Sequence, residues 1–279
     1  MTASRQERFM KSVMLYIADD TGFEARLQAA LDLTRSLNGH LHCLRANPYN
    51  PQMAFDGVTG MSVMYDISKM SRELDEKLRA EVEKRLADED VSWDYREEND
   101  NPSRGLSKNS ALADILVLSS ASGDGDNALP LGLLGDVLYN ASVPVVVQPD
   151  EVKKFDACGP ALVAWNGSFE AGNALRAAVP LLKMSSDVHI LTVAEDKDHD
   201  LPQLAASEYL AYHGIKSTVR SLPAAKKSVD TVIVEEAKNL NAEYIVMGAY
   251  GHSRAREFIF GGVTRNLFKF CHIPLVVSR

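Results

Sequence analysis

At 279 residues the chain is long enough for two domains of ordinary size, and 46% hydrophobic with 24% charged residues is a globular composition. A formal net charge of −8 excludes a nonspecific binder of phosphate backbones, which needs a basic surface, so no nucleic-acid partner is expected. No apolar stretch approaches the ~18 residues of a membrane span, and Met1 to Lys11 is polar without an apolar leader core, so no membrane partner is expected and the expected compartment is the cytoplasm.

In chain order, short apolar runs alternate with longer helical patterns, the signature of βαβ units around a parallel sheet. Strands are predicted near Val13 to Ile17, Leu41 to Arg45, Val91 to Tyr95, Ile115 to Leu118 and Val143 to Val147. Between the second and third, Asn47 to Tyr65 reads as a long loop because Pro48, Pro51, Gly57 and Gly60 break both periodicities, and Ser68 to Leu86 reads as a charged, largely solvent-facing helix. Pro149 to Gly159 is a polar linker, dividing the chain into domains 1–150 and 158–279. The second set of strands falls near Ala161 to Trp165, Val188 to Val193, Lys216 to Ser221, Tyr244 to Met247 and Leu275 to Ser278. A helix from Phe169 buries Ala174, Ala177, Ala178 and Leu181, with Pro180 expected to kink or end it, and one from Val229 to Leu240 buries Val229, Val232, Ile233 and Ala237. Cys43, Cys158 and Cys271 are widely spaced and odd in number, which reads as buried free thiols in a reducing compartment.

The halves are copies. Phe23-Glu24-Ala25 recurs as Phe169-Glu170-Ala171, an offset of 146, and Leu41-His42-Cys43-Leu44 matches Val188-His189-Ile190-Leu191 at 147. Val143-Pro144-Val145-Val146-Val147 matches Ile273-Pro274-Leu275-Val276-Val277 at 130, so the first half carries an insertion of 17 residues, placed in the Asn47 to Tyr65 loop.

The richest segment for chemistry is Tyr244 to Thr264, a buried strand running into Gly248, Gly251 and Gly261 and then a helix. Glycines after a parallel strand let backbone N–H groups approach a phosphate, and the next helix adds the positive end of its dipole. Gly248-x2-Gly251-x9-Gly261 followed by Gly262-Val263-Thr264-Arg265 resembles the glycine motif of the universal stress protein family, and Ala164-Trp165-Asn166-Gly167-Ser168 resembles its first strand and turn. The resemblance implies two doubly wound five-stranded parallel sheets of strand order 3-2-1-4-5 in tandem, a Rossmann-like α/β class. It also implies a stress-response role, and ATP with Mg as cofactor in one branch. Trp165 and Asn166 would then lie beside the ribose, and Val193 and Ala194 beside the adenine. Met247, Gly248, Gly251, Gly261, Gly262 and Val263 would form the cleft and phosphate loop, with Thr264 supplying a hydroxyl and His252 and Arg254 near phosphate charge. Asn166 stands where the binding branch has Asp, and Gly262 where it has Ser or Thr. The family further implies pairing of last strands, here Val143 to Val147 with Leu275 to Ser278 inside the chain, and allows a homodimer.

The first half lacks the motif: Ser119 and Ser122 replace Gly248 and Gly251, and Asp124 and Asp126 bring carboxylates to the phosphate position, so one nucleotide per chain is expected. No Gly-Lys-Ser/Thr loop is present, which limits any activity to slow ATP hydrolysis, and no catalytic residue is assigned. Glu195-Asp196-Asp198-His199-Asp200 lacks the spacing of a metal loop, so no metal is expected, and His42 and His189 read as repeat relics packed at the sheet. Gly251-His252-Ser253-Arg254-Ala255 lacks the last glycine of a nucleophile elbow. The competing reading is an interaction or small-molecule-binding protein of the same fold without nucleotide.

Overall fold

The computed structural model describes residues 10–46, 61–121, 128–194, 201–250 and 261–279, and for residues 61–71 the backbone alone. The first half runs β1 (Ser12–Tyr16), α1 (Phe23–Leu37), β2 (His40–Ala46), α2 (Met61–Leu86), β3 (Ser92–Glu98), α3 (Pro102–Asn109), β4 (Ile115–Ser119), α4 (Leu131–Asn140) and β5 (Val145–Gln148). The second repeats it with β6 (Ala161–Ala164), α5 (Phe169–Leu182), β7 (Val188–Ala194), α6 (Gln203–Tyr212), β8 (Thr218–Pro223), α7 (Val229–Asn239), β9 (Tyr244–Gly248), α8 (Gly262–Phe270) and β10 (Leu275–Ser278). All ten strands fall where the alternation of apolar runs predicts them, with ends displaced by a residue or a few.

The strands form a single 10-stranded sheet of order β3-β2-β1-β4-β5-β10-β9-β6-β7-β8. Each half is therefore a parallel sheet of order 3-2-1-4-5, and the two meet where β10 pairs antiparallel with β5: Leu275 opposite Val147, Val276 opposite Val146, Val277 opposite Val145. That antiparallel join is the intramolecular pairing of last strands expected above. It relates the halves by an approximate two-fold axis and points their carboxyl ends in opposite directions. The sheet ends on β3 and β8, whose residues are half-buried or exposed and include Asp94, Arg96, Glu97 and Arg220, which discourages further strand pairing.

Both faces are covered. One core cluster packs α1, α2, α5 and α6 against Val13, Leu15, Leu41, Val117, Val146, Val163, Ile190, Val246 and Val276. The other packs α3, α4, α7 and α8 against Leu44, Leu116, Val145, Val147, Leu191, Ile245, Leu275 and Val277. Each cluster crosses the seam, because alternate residues of β5 and β10 face opposite sides.

Three expectations need correction. Helix α2 begins at Met61, so 61–65 is helical rather than loop, while 47–60 lies outside the described residues. Its exposed character holds: of residues 72–86 only Val82 and Leu86 are fully buried. Pro180 neither ends nor breaks α5, which continues to Leu182; near the C-terminus the proline forfeits one N–H bond, a loss the burial of Leu181 and Leu182 offsets. Cys158 is exposed, while Cys43 and Cys271 are buried and all three are free. Burial pushes the Cys43 thiol up to about 12 and raises that of Cys271. In native protein at pH 8 an aromatic disulfide reagent should therefore titrate one thiol quickly, and Cys158→Ser should abolish that phase. Fast labelling of a second thiol would contradict this packing. Among the described residues no helix is long and apolar enough to cross a membrane.

Candidate functional site

In the second half, β6 ends in a turn that the sequence builds locally. Gly167 adopts φ 70, the left-handed region where glycine costs nothing, and Ser168 N–H donates to Asn166 Oδ1 at 3.1 Å. Ser168 then caps α5, its Oγ accepting from Ala171 N–H at 3.2 Å. Asn166 is exposed and its carbonyl oxygen is engaged in shaping this turn, a task an aspartate would perform equally.

Gly248 closes the other side. A Cβ there would lie 2.6 Å from Ala171 N and from Glu170 C, so the strand end can meet the first turn of α5 only as glycine. Met247 and Val193 are buried, Ala194 is exposed at the end of β7, and Trp165 is 4% exposed with its indole N–H buried and without a partner. Tyr250 adopts φ 69 and donates its hydroxyl to Gly135 O at 2.6 Å, tying the chain after β9 to α4 of the first half. Gly261 caps α8 at φ −57, ψ 154, and Gly262 is its first residue; among the described residues beyond its chain neighbours, a Cβ on either would meet nothing within 4 Å. Neither glycine adopts a left-handed conformation. Val263 is half-buried and Thr264 buried. Gly251, His252 and Arg254 lie outside the described residues. The structure thus brings Trp165, Asn166, Val193, Ala194, Met247, Gly248 and Gly261 to Thr264 to the carboxyl ends of β6, β7 and β9, where open α/β sheets carry their clefts.

A separate cavity of about 260 Å³ lies between α5 and α6, lined by Trp165, Phe169, Arg176, Leu201, Ala205 and Tyr209 among others. Of the predicted site residues it includes Trp165.

The same place in the first half is filled from within. Arg26, which the repeat sets opposite Gly172, is 0% exposed. Its guanidinium donates to Asp20 Oδ1 at 3.0 Å, to Asp20 Oδ2 at 3.1 Å, to Ser119 Oγ and to Tyr16 O at 2.8 Å. Asp20 stands at the position of Asn166 and Ser119 at that of Gly248. The exchange is reciprocal: Gly22 replaces Ser168, and a Cβ on Gly22 would sit 2.2 Å from Ser119 Oγ. Asp150 is held there by Thr21 Oγ1 at 2.8 Å, and burial raises its carboxyl. Asp124 and Asp126 lie outside the described residues, so the asymmetry now rests on the buried Arg26–Asp20–Ser119 group, which sequence reading missed. Helix α4 begins at Leu131, which the repeat sets opposite Gly261.

His42 and His189 occupy matching strand positions but not matching surroundings. His42 Nδ1 is 2.7 Å from Asp94 Oδ2, whereas His189 Nδ1 is buried and unpartnered opposite Thr218.

Ten strands in two doubly wound halves of order 3-2-1-4-5 define a tandem α/β protein whose clefts lie at strand carboxyl ends. Residues 203–279 match the model of the Universal stress protein family. Over 156 residues the chain is 30% identical to a universal stress protein of Synechocystis sp., covering 51% of this chain and 49% of that one, so it spans about half the length of that curated relative. A universal stress protein from Archaeoglobus fulgidus DSM 4304 aligns with a TM-score of 0.72 at 19% identity, covering 97% of this chain and 99% of that one. A putative universal stress protein from Pseudomonas aeruginosa UCBPP-PA14 aligns at 0.55 with 15% identity, covering 96% and 93%.

Proposed function

We propose that the second half, domain 158–279, binds an adenine nucleotide, ATP with Mg, and that the chain acts in the cytoplasm as a sensor or regulator in a stress response, with at most slow ATP hydrolysis. Domain 1–150 is then a structural partner whose own cleft is closed. The observation that carries this reading is space at a helix start: α8 opens on Gly261 and Gly262, and among the described residues beyond their own chain neighbours no atom lies within 4 Å of where their side chains would be. Its first N–H groups and dipole favour an anion there. Gly248 brings the neighbouring strand end close without filling the cleft, and Val193 and Ala194 border it with apolar surface suited to a base.

Gly261→Val is the direct test. The position is exposed and its backbone ordinary, so melting temperature without ligand should stay within about a degree or two of the parent, a ΔΔG under ~0.5 kcal/mol. ATP should raise the parent's melting temperature by mass action and leave the variant's unchanged. Equal ATP-induced shifts in both would remove the phosphates from this helix. A second reading, a non-nucleotide small molecule, draws on the cavity between α5 and α6. A ligand there would be displaced by Ala205→Trp and unaffected by Gly261→Val.

A further inference from the structure

His40 and His42 are two residues apart on β2 and so project from the same face of the sheet. The parallel register sets Ser92 beside His40 and Asp94 beside His42 on β3. Both imidazoles converge on one carboxylate oxygen: His42 Nδ1 lies 2.7 Å and His40 Nε2 3.0 Å from Asp94 Oδ2, with ring centroids 4.6 Å apart. All three residues are half-buried, and one donor atom from each falls within 4.8 Å of the others. The cluster lies toward the amino ends of its strands, remote from the cleft ends of the sheet, and it is not a property of the repeat. In the second half Asp187 stands at the position of His40, and Thr218 takes the place opposite His189.

We propose that His40, His42 and Asp94 form a binding site for a divalent transition-metal ion of the zinc type, with a fourth position open to water or a ligand. Two neutral imidazoles and a carboxylate are the donor set that such ions take. Ligand bonds near 2.1 Å in a tetrahedron put donors about 3.4 Å apart, so the present 2.7 and 3.0 Å spacings need to widen by about 0.7 and 0.4 Å, within reach of side-chain rotation. The surrounding groups present the right atoms. Ser92 Oγ engages His40 Nδ1 at 2.6 Å, leaving Nε2 as the inward nitrogen. Arg96 Nε donates to Asp94 Oδ1 at 3.1 Å, with a longer 3.5 Å approach to Oδ2, so Oδ2 is the oxygen turned to the imidazoles. Such outer hydrogen bonds orient ligands in metal centres. Sequence reading missed the site because Asp94 is more than fifty residues from His42 and only strand register joins them.

The test uses the full chain stripped with a chelator and titrated with Co²⁺, then with Zn²⁺ in competition. The expected result is one equivalent of Co²⁺ with the visible absorption of a low-coordinate N/O site, displaced by Zn²⁺. His40→Ala, His42→Ala and Asp94→Asn should each weaken Co²⁺ binding by about a hundredfold or more, since loss of a mere outer partner already costs 10–100-fold. His189→Ala should leave it unchanged. Melting in chelator shows whether each variant is folded; should one fail, Ser92→Ala supplies a milder change, expected to weaken binding about tenfold. Absence of the absorption, or its survival in the triple variant, overturns the proposal.

Discussion

Replacing Arg26 by Met should destabilise the first half by about 3–5 kcal/mol in urea unfolding, the range for removing one partner of a buried ion pair. The guanidinium is wholly inaccessible and holds Asp20, Ser119 and the Tyr16 carbonyl together at the ends of β1 and β4. Methionine fills a similar volume but leaves the Asp20 carboxylate, 8% exposed, without its countercharge. Desolvation of that lone charge is the main cost. Adding Asp20→Leu to Arg26→Met should recover most of the loss, because an apolar pair needs no compensation. A single variant within 1 kcal/mol of the parent would show that the ion pair does not hold this cleft shut.

Val276→Asp should prevent the chain from folding into one unit. Val276 is 1% exposed and faces Val146, itself 0% exposed, across the one antiparallel join among the described residues. A carboxylate there has no cation to pair with in the apolar cluster that spans the seam, and its burial costs well over 4 kcal/mol. The expected outcome is aggregation, or two separate unfolding transitions in place of one, with β5 and β10 exposed as strand edges. Val276→Ala, which removes two methyl groups, should cost only about 2 kcal/mol and keep a single transition. A cooperative, soluble Val276→Asp chain would mean that the halves hold together by other surfaces.

Much of the fold is legible in the sequence because buried parallel strands are short, apolar and regularly spaced, and because the repeat supplies each element twice. The antiparallel join was implied by the family resemblance, which pairs last strands, and the apolar character of Val145 to Val147 and Leu275 to Val277 agrees with it. What escaped depends on pairings distant in the chain. Arg26 sits in a helical pattern that would ordinarily send an arginine to solvent, yet it is buried because Ser119 and Asp20 wait for it. Laying the halves over each other could have exposed this: arginine against glycine at one position and serine against glycine at another mark a cleft filled in one copy only. At Gly261 and Gly262 the smallness of glycine matters and not its freedom, since neither adopts a positive φ.

The antiparallel seam also changes how such a molecule can diverge. In an assembly of two identical chains around a two-fold axis, any substitution appears at both copies of a site, so closing one cleft closes the other. Here the two-fold is internal and its halves are encoded separately. A guanidinium could fill one cleft while glycines stood at the matching positions of the other, and a histidine pair could meet an aspartate on one outer strand while its counterpart sets a single histidine opposite a threonine. Covalent joining thus makes loss at one site compatible with retention at its mirror, and fixes their ratio at one to one irrespective of concentration.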